Sequence, residues 1–84
     1  MQTTLNKLPT NLIGKIIKLE VNETLKRRLQ DLGLIENTKI KSVYKSPLND
    51  PKAYLIRESV IALRNEDAKH IFISYENGDI NGIN

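Results

Sequence analysis

Leu25-Lys26-Arg27-Arg28-Leu29-Gln30-Asp31-Leu32-Gly33-Leu34 is the stretch on which the reading of this chain turns. Leu25, Leu29 and Leu32 recur at i, i+4 and i+7, which places three apolar side chains on one face of a helix. Just upstream, Asn22 is a residue type that caps helix N-termini, and Glu23 complements the positive end of the helix dipole. Gly33 supplies the left-handed residue that stops the helix. The pattern predicts one helix over 23–32 with its leucine stripe turned towards a core.

Outward from this helix the periodicity changes. Residues 13–20 are rich in β-branched side chains and predict a strand, with Gly14 where backbones approach closely. Residues 39–45 predict another strand, in which Ile40 and Val43 share a face only if a bulge intervenes. Pro47-Leu48-Asn49-Asp50-Pro51 reads as a turn bracketed by two prolines. Tyr54 and Ile56 fall on one face of the next strand, and Ile61 and Leu63 on one face of the strand after it. Asn65 is expected to cap a helical turn from Glu66 to about His70, before a buried strand at Ile71-Phe72-Ile73. Five short strands with one early helix predict a mainly β fold, a small barrel. The ordered domain is expected over 1–75, with 76–84, polar and glycine-bearing, as a flexible tail.

Composition narrows the function. Eighty-four residues fit one domain, with little chain to spare for a deep catalytic pocket. The absence of cysteine removes disulfides, thiolate zinc sites and cysteine nucleophiles. No apolar leader or spanning stretch occurs, so a cytoplasmic protein without direct membrane insertion is expected. The single histidine, His70, has no Gly-x-Ser-x-Gly elbow to serve, and no Gly-rich phosphate loop is present, so neither catalysis nor a cofactor is expected. Glu66 and His70, four residues apart, are the only metal-ligand candidates, and two ligands are too few for a tight ferrous site. The net charge of +3 is dispersed, its densest run being Lys26-Arg27-Arg28, which suits a solvated helix face or a protein-docking patch better than a nucleic-acid stripe.

Four pieces in order carry a resemblance. They are Leu25-x-Arg27-Arg28-Leu29-x-Asp31-Leu32-Gly33-Leu34, Thr38-x-Ile40, Pro47-Leu48-Asn49-Asp50-Pro51, and Ile61-Ala62-Leu63-Arg64. Together they resemble the ferrous iron transport protein A (FeoA) family from about Leu5 to Ile73. The resemblance implies an SH3-like barrel of five or six strands, with the helix inserted after the first strand and a helical turn before the last. It also implies a bacterial cytosolic accessory of ferrous iron uptake, whose partner is the membrane iron permease FeoB with its cytosolic GTP-binding region. Asn11, Asn37, Asn49 and Glu58 stand where the family has glycine; asparagine tolerates left-handed turns, whereas Glu58 implies either a changed turn type or strain.

With no catalytic set in view, docking is the expected activity. A groove walled by the 45–52 turn and the exposed side of the helix is expected to receive the partner, with Arg27, Arg28, Pro47, Leu48, Asp50 and Pro51 as contacts. Leu48 would act as an apolar anchor, and the arginines would pair with acidic groups. The rivals are a nucleic-acid-binding barrel, suggested by the charge, and a ferrous-iron carrier, suggested by Glu66 and His70. A homodimer through an edge strand is left open.

Overall fold

The structure, a computed structural model, describes residues 1–45 and 47–76. The expected tail 76–84 lies, from 77 onwards, outside the described residues.

Alternating burial along Ile13–Leu19 builds the first long strand, β2: Gly14, Ile16 and Leu19 turn inward while Ile13, Lys15 and Lys18 turn outward. A three-residue strand, β1 (Gln2–Thr4), precedes it and pairs with the last strand. That short strand has too little periodicity to be visible in the sequence. Leu5 and Leu8 follow in and just after a 3-10 turn (Leu5–Lys7), and both are buried. The helix α1 (Glu23–Asp31) follows β2, with the Asn22 side chain accepting the Leu25 N–H at 2.8 Å as expected of a cap.

Gly33, at φ +106°, ends α1. Its N–H donates to Gln30 O and the Leu34 N–H donates to Leu29 O, the bonding pattern of a Schellman stop. Leu29 and Leu34 are both buried, completing the apolar contact that accompanies this motif. Leu32 departs from the expected stripe. It lies one residue beyond the helix, 47 % exposed, because Leu34 takes the core position behind the stop.

Strands β3 (Lys39–Lys45), β4 (Lys52–Ile56) and β5 (Ser59–Leu63) form a meander. The expected bulge lies at Val43, where the register shifts between Ser42 and Tyr44. A four-residue helix, α2 (Asn65–Ala68), leads into β6 (Ile71–Tyr75). All six strands join one antiparallel sheet in the order β1-β6-β2-β3-β4-β5. Its inner face, with Leu29 and Leu34, encloses a core that includes Ile16, Ile40, Tyr54, Ile56, Ile71 and Ile73. Gly14 lets β2 and β6 close: a Cβ there would stand 3.0 Å from Ile73 Cδ1 and 3.3 Å from Ser74 O.

All four positions read as glycine substitutes have positive φ: Asn11 (74°), Asn37 (72°), Asn49 (66°) and Glu58 (69°). Arg57 joins them at 49°, and Ile56 pairs with Ser59, so a two-residue hairpin of the I′ kind is made without glycine or asparagine. The alternative at Glu58 therefore resolves to a strained residue in an ordinary hairpin.

Candidate functional site

A cleft of about 230 Å³ opens between α1 and the β5–α2 segment. Its wall on the helix side is Leu25, Leu29, Leu32 and Arg28; the facing wall is Ala62, Leu63, Arg64 and Asp67. The half-exposed Leu32 is an apolar side chain that the helix stop leaves uncovered at this cleft. Arg28 and Arg64 bring two cations to a mainly aliphatic channel, with Asp67 as the single carboxylate. Such a site can seat an apolar side chain and pair with an acidic group beside it.

The six residues expected to meet a partner do not all gather here. Arg28 lines the cleft; Arg27 is exposed on α1 but does not line it. Pro47, Leu48 and Pro51 are exposed in the turn between β3 and β4, with Leu48 87 % exposed. None of the described residues of the 45–52 turn lines this cleft. Instead the turn is tied to the start of α2, next to Arg64. Asp50 Oδ1 accepts the Asn65 N–H at 2.9 Å, and Asn65 Nδ2 donates to Asn49 O at 2.9 Å. Asn65 is thus not the cap of α2 but its first residue, and the acceptor it was expected to supply comes from Asp50, remote in sequence.

The Asp50 carboxylate also acts on Tyr54, whose side chain is buried among the core residues. Burial, and secondarily the charge of Asp50, push the Tyr54 hydroxyl up to about 12. The hydroxyl lies 3.5 Å from Leu5 O, a long contact at best.

Glu66 and His70 border a second cleft, of about 340 Å³, together with Glu20 and Asp67. α2 ends at Ala68, so His70 lies past the helix and the two candidates are not stacked one turn apart on it. Among the described residues no three His, Asp or Glu side chains converge in a way that could hold a metal ion.

Arg64, Asp67 and Ala62 went unnoticed as cleft residues in the sequence. Their only signal is position, directly after an apolar strand and opposite the leucine stripe. Among the described residues no helix is long and apolar enough to cross a membrane.

A helix inserted after the first long strand of a small six-stranded sheet invites comparison with known proteins. The family model described as the FeoA domain matches residues 3–75. The chain belongs to the FeoA family.

An Fe(2+) transport protein A of Campylobacter jejuni is 31% identical over 71 residues, covering 84% of this chain and 96% of the relative. The solution structure of iron(II) transport protein A from Clostridium thermocellum is similar at a TM-score of 0.85 and 29% identity, covering 90% of this chain and 47% of that one. The crystal structure of Stenotrophomonas maltophilia FeoA, complexed with zinc and described as a prokaryotic SH3-domain protein, has a TM-score of 0.72 at 26% identity, covering 86% of this chain and 89% of that one. FeoA membership associates the chain with ferrous iron transport, and its fold is SH3-like.

Proposed function

We propose that this FeoA-family chain is a non-catalytic accessory of ferrous iron uptake that docks on the cytosolic part of a FeoB-type iron permease through the cleft between α1 and β5–α2. The observation that carries this is the cleft itself, where aliphatic walls from Leu25, Leu32 and Ala62 meet the cations Arg28 and Arg64. Burying a leucine- or phenylalanine-bearing acidic segment there would satisfy both halves of the site. Leu48 is a second anchor, carried by a turn that Asp50 and Asn49 fasten beside Arg64. In this reading Asp50 acts by holding the turn, while Pro47 and Pro51 limit its conformations. Arg27 contributes long-range attraction from the same helix.

Isothermal titration of the permease's cytosolic region into this protein tests the proposal. Binding is expected to weaken by about tenfold or more on Arg28→Glu combined with Leu32→Ser, the range seen when interface anchors are lost. Retention of full affinity by that variant, or no heat of binding at high micromolar concentrations of the wild type, would exclude the cleft.

A further inference from the structure

The outer face of the sheet carries a second surface, on the opposite side of the strands from the core. Register aligns Ile13, Lys41, Leu55 and Val60 in one row across β2, β3, β4 and β5. The neighbouring row sets Lys15 directly opposite Lys39. Like charges facing one another across a strand pair destabilise the sheet, so this arrangement is not explained by folding. Among the described residues no carboxylate lies within ion-pair distance of Lys15, Lys39 or Lys41, although Glu76 lines one cleft with Lys15 and Glu58 lines another with Lys39 and Lys41.

Apolar side chains accompany these cations. Ile13 is 54 % exposed and Val60 58 % exposed, and Tyr44 on β3 is exposed as well. Thus three of the six large apolar residues left exposed among the described residues are on β2, β3 and β5 of this face. Open clefts of about 410 and 180 Å³ lie beside Ile13 and Lys39, the larger one reaching Lys15 and Ser74.

We propose that this outer face binds an anionic lipid bilayer surface, with Lys15, Lys39 and Lys41 on headgroup phosphates and Ile13, Tyr44 and Val60 dipping into the interface. Cations set among aliphatic and tyrosyl side chains on one face match the layering of a bilayer boundary, where negative headgroups overlie acyl chains. A second copy of the chain fits poorly, since two-fold pairing would set the three lysines against their own equivalents. A single-stranded nucleic acid wants a series of exposed stacking aromatics, whereas among the described residues of this face Tyr44 is exposed and Phe72 is half-buried with Lys18 over its ring. The bilayer surface is contacted and not crossed. The α1 cleft, which takes a protein partner, adjoins this face at Ala62, two residues along β5 from Val60 and in register with Ala53 and Tyr44; the lysines and Ile13 do not line it.

Sedimentation of the full chain with sucrose-loaded vesicles tests this, using phosphatidylcholine with about 30% phosphatidylglycerol against phosphatidylcholine alone. Partitioning is expected only with the anionic vesicles, falling about 30-fold in Lys15→Gln/Lys39→Gln and collapsing at about 0.5 M salt. Ile13→Ser is expected to lose several-fold more than Lys7→Gln, which lies off the face. Equal partitioning into neutral vesicles would overturn the proposal, as would an equal loss in the charge-matched Lys7→Gln/Lys69→Gln. So would wild type that stays in the supernatant, whether or not it then binds a labelled single-stranded oligonucleotide through the same lysines. All the substituted lysines are partly or fully solvent-exposed, and circular dichroism would verify that each variant remains folded.

Discussion

The Asp50 carboxylate accepts the backbone N–H of Asn65 at 2.9 Å, fastening the β3–β4 turn to the first residue of α2. The N-terminus of α2 has no cap from its own flank, because Arg64 occupies that position and makes no side-chain bond. Asp50 fills the vacancy with a negative charge, which the exposed N–H groups favour. Asp50→Ala is therefore expected to destabilise the fold by about 1–2 kcal/mol, the usual cost of losing a cap. A melting point lower by about 4–16 °C would register it, given the steep dependence in a domain of this size. An unchanged melting point would show the bond to be dispensable.

Glu58 offers the opposite sign. With Arg57 at φ 49° and Glu58 at φ 69°, the β4–β5 hairpin has two side-chain-bearing residues in the left-handed region. Relieving one of them by Glu58→Gly is expected to stabilise the protein by about 1 kcal/mol, since the strain removed exceeds the entropy glycine adds to the unfolded chain. Urea unfolding would show a higher midpoint at unchanged slope. A lower midpoint would contradict the assignment of strain.

These cases mark how far the sequence could be read. Local chemistry was legible: Asn22 as a cap, Gly33 as a stop and the bulge near Val43 follow from neighbours in the chain, while the need for positive φ at Asn11, Asn37, Asn49 and Glu58 followed from the family resemblance. What depends on distant partners was not. Leu32 looks like a core leucine until the Schellman stop is seen to pass that role to Leu34. Asn65 looks like a cap until Asp50 arrives from the turn. The cleft was half visible, because Arg28 lies on the helix that periodicity reveals, while Arg64 and Ala62 reach it only through the fold.

Tyr54 makes stability depend on alkaline pH. Its hydroxyl is held up to about 12 in the folded protein against about 10 when unfolded, so the folded state keeps its proton longer. The associated stability is fully present below pH 10 and is lost as pH rises from about 10 to about 12. Chemical denaturation across that window is expected to show a fall of up to about 3 kcal/mol in wild type that Tyr54→Phe lacks, lysine titration being common to both. Asp50→Asn is expected to bring the Tyr54 titration down by removing the nearby charge. Parallel pH profiles for wild type and Tyr54→Phe would refute this.

Gly14 tests the packing of β2 on β6. A methyl group there meets Ile73 Cδ1 at 3.0 Å and the Ser74 carbonyl at 3.3 Å. Backbone cannot retreat as a side chain can, so Gly14→Ala is expected to cost about 1–3 kcal/mol. Gly14→Ala with Ile73→Val is expected to recover part of this, because the tighter of the two contacts is then relieved. No recovery in the double variant would place the clash at the Ser74 carbonyl alone.

The most direct test of the docking account is a map of the contact. Amide chemical shifts of the isotopically labelled protein would be followed as the unlabelled cytosolic region of the permease is added. The account expects the largest changes over residues 25–32 and 62–67, with Leu48 as a separate affected site. Shifts confined to the outer sheet face around Lys15 and Lys39, or none at a saturating excess of the permease region, would contradict it.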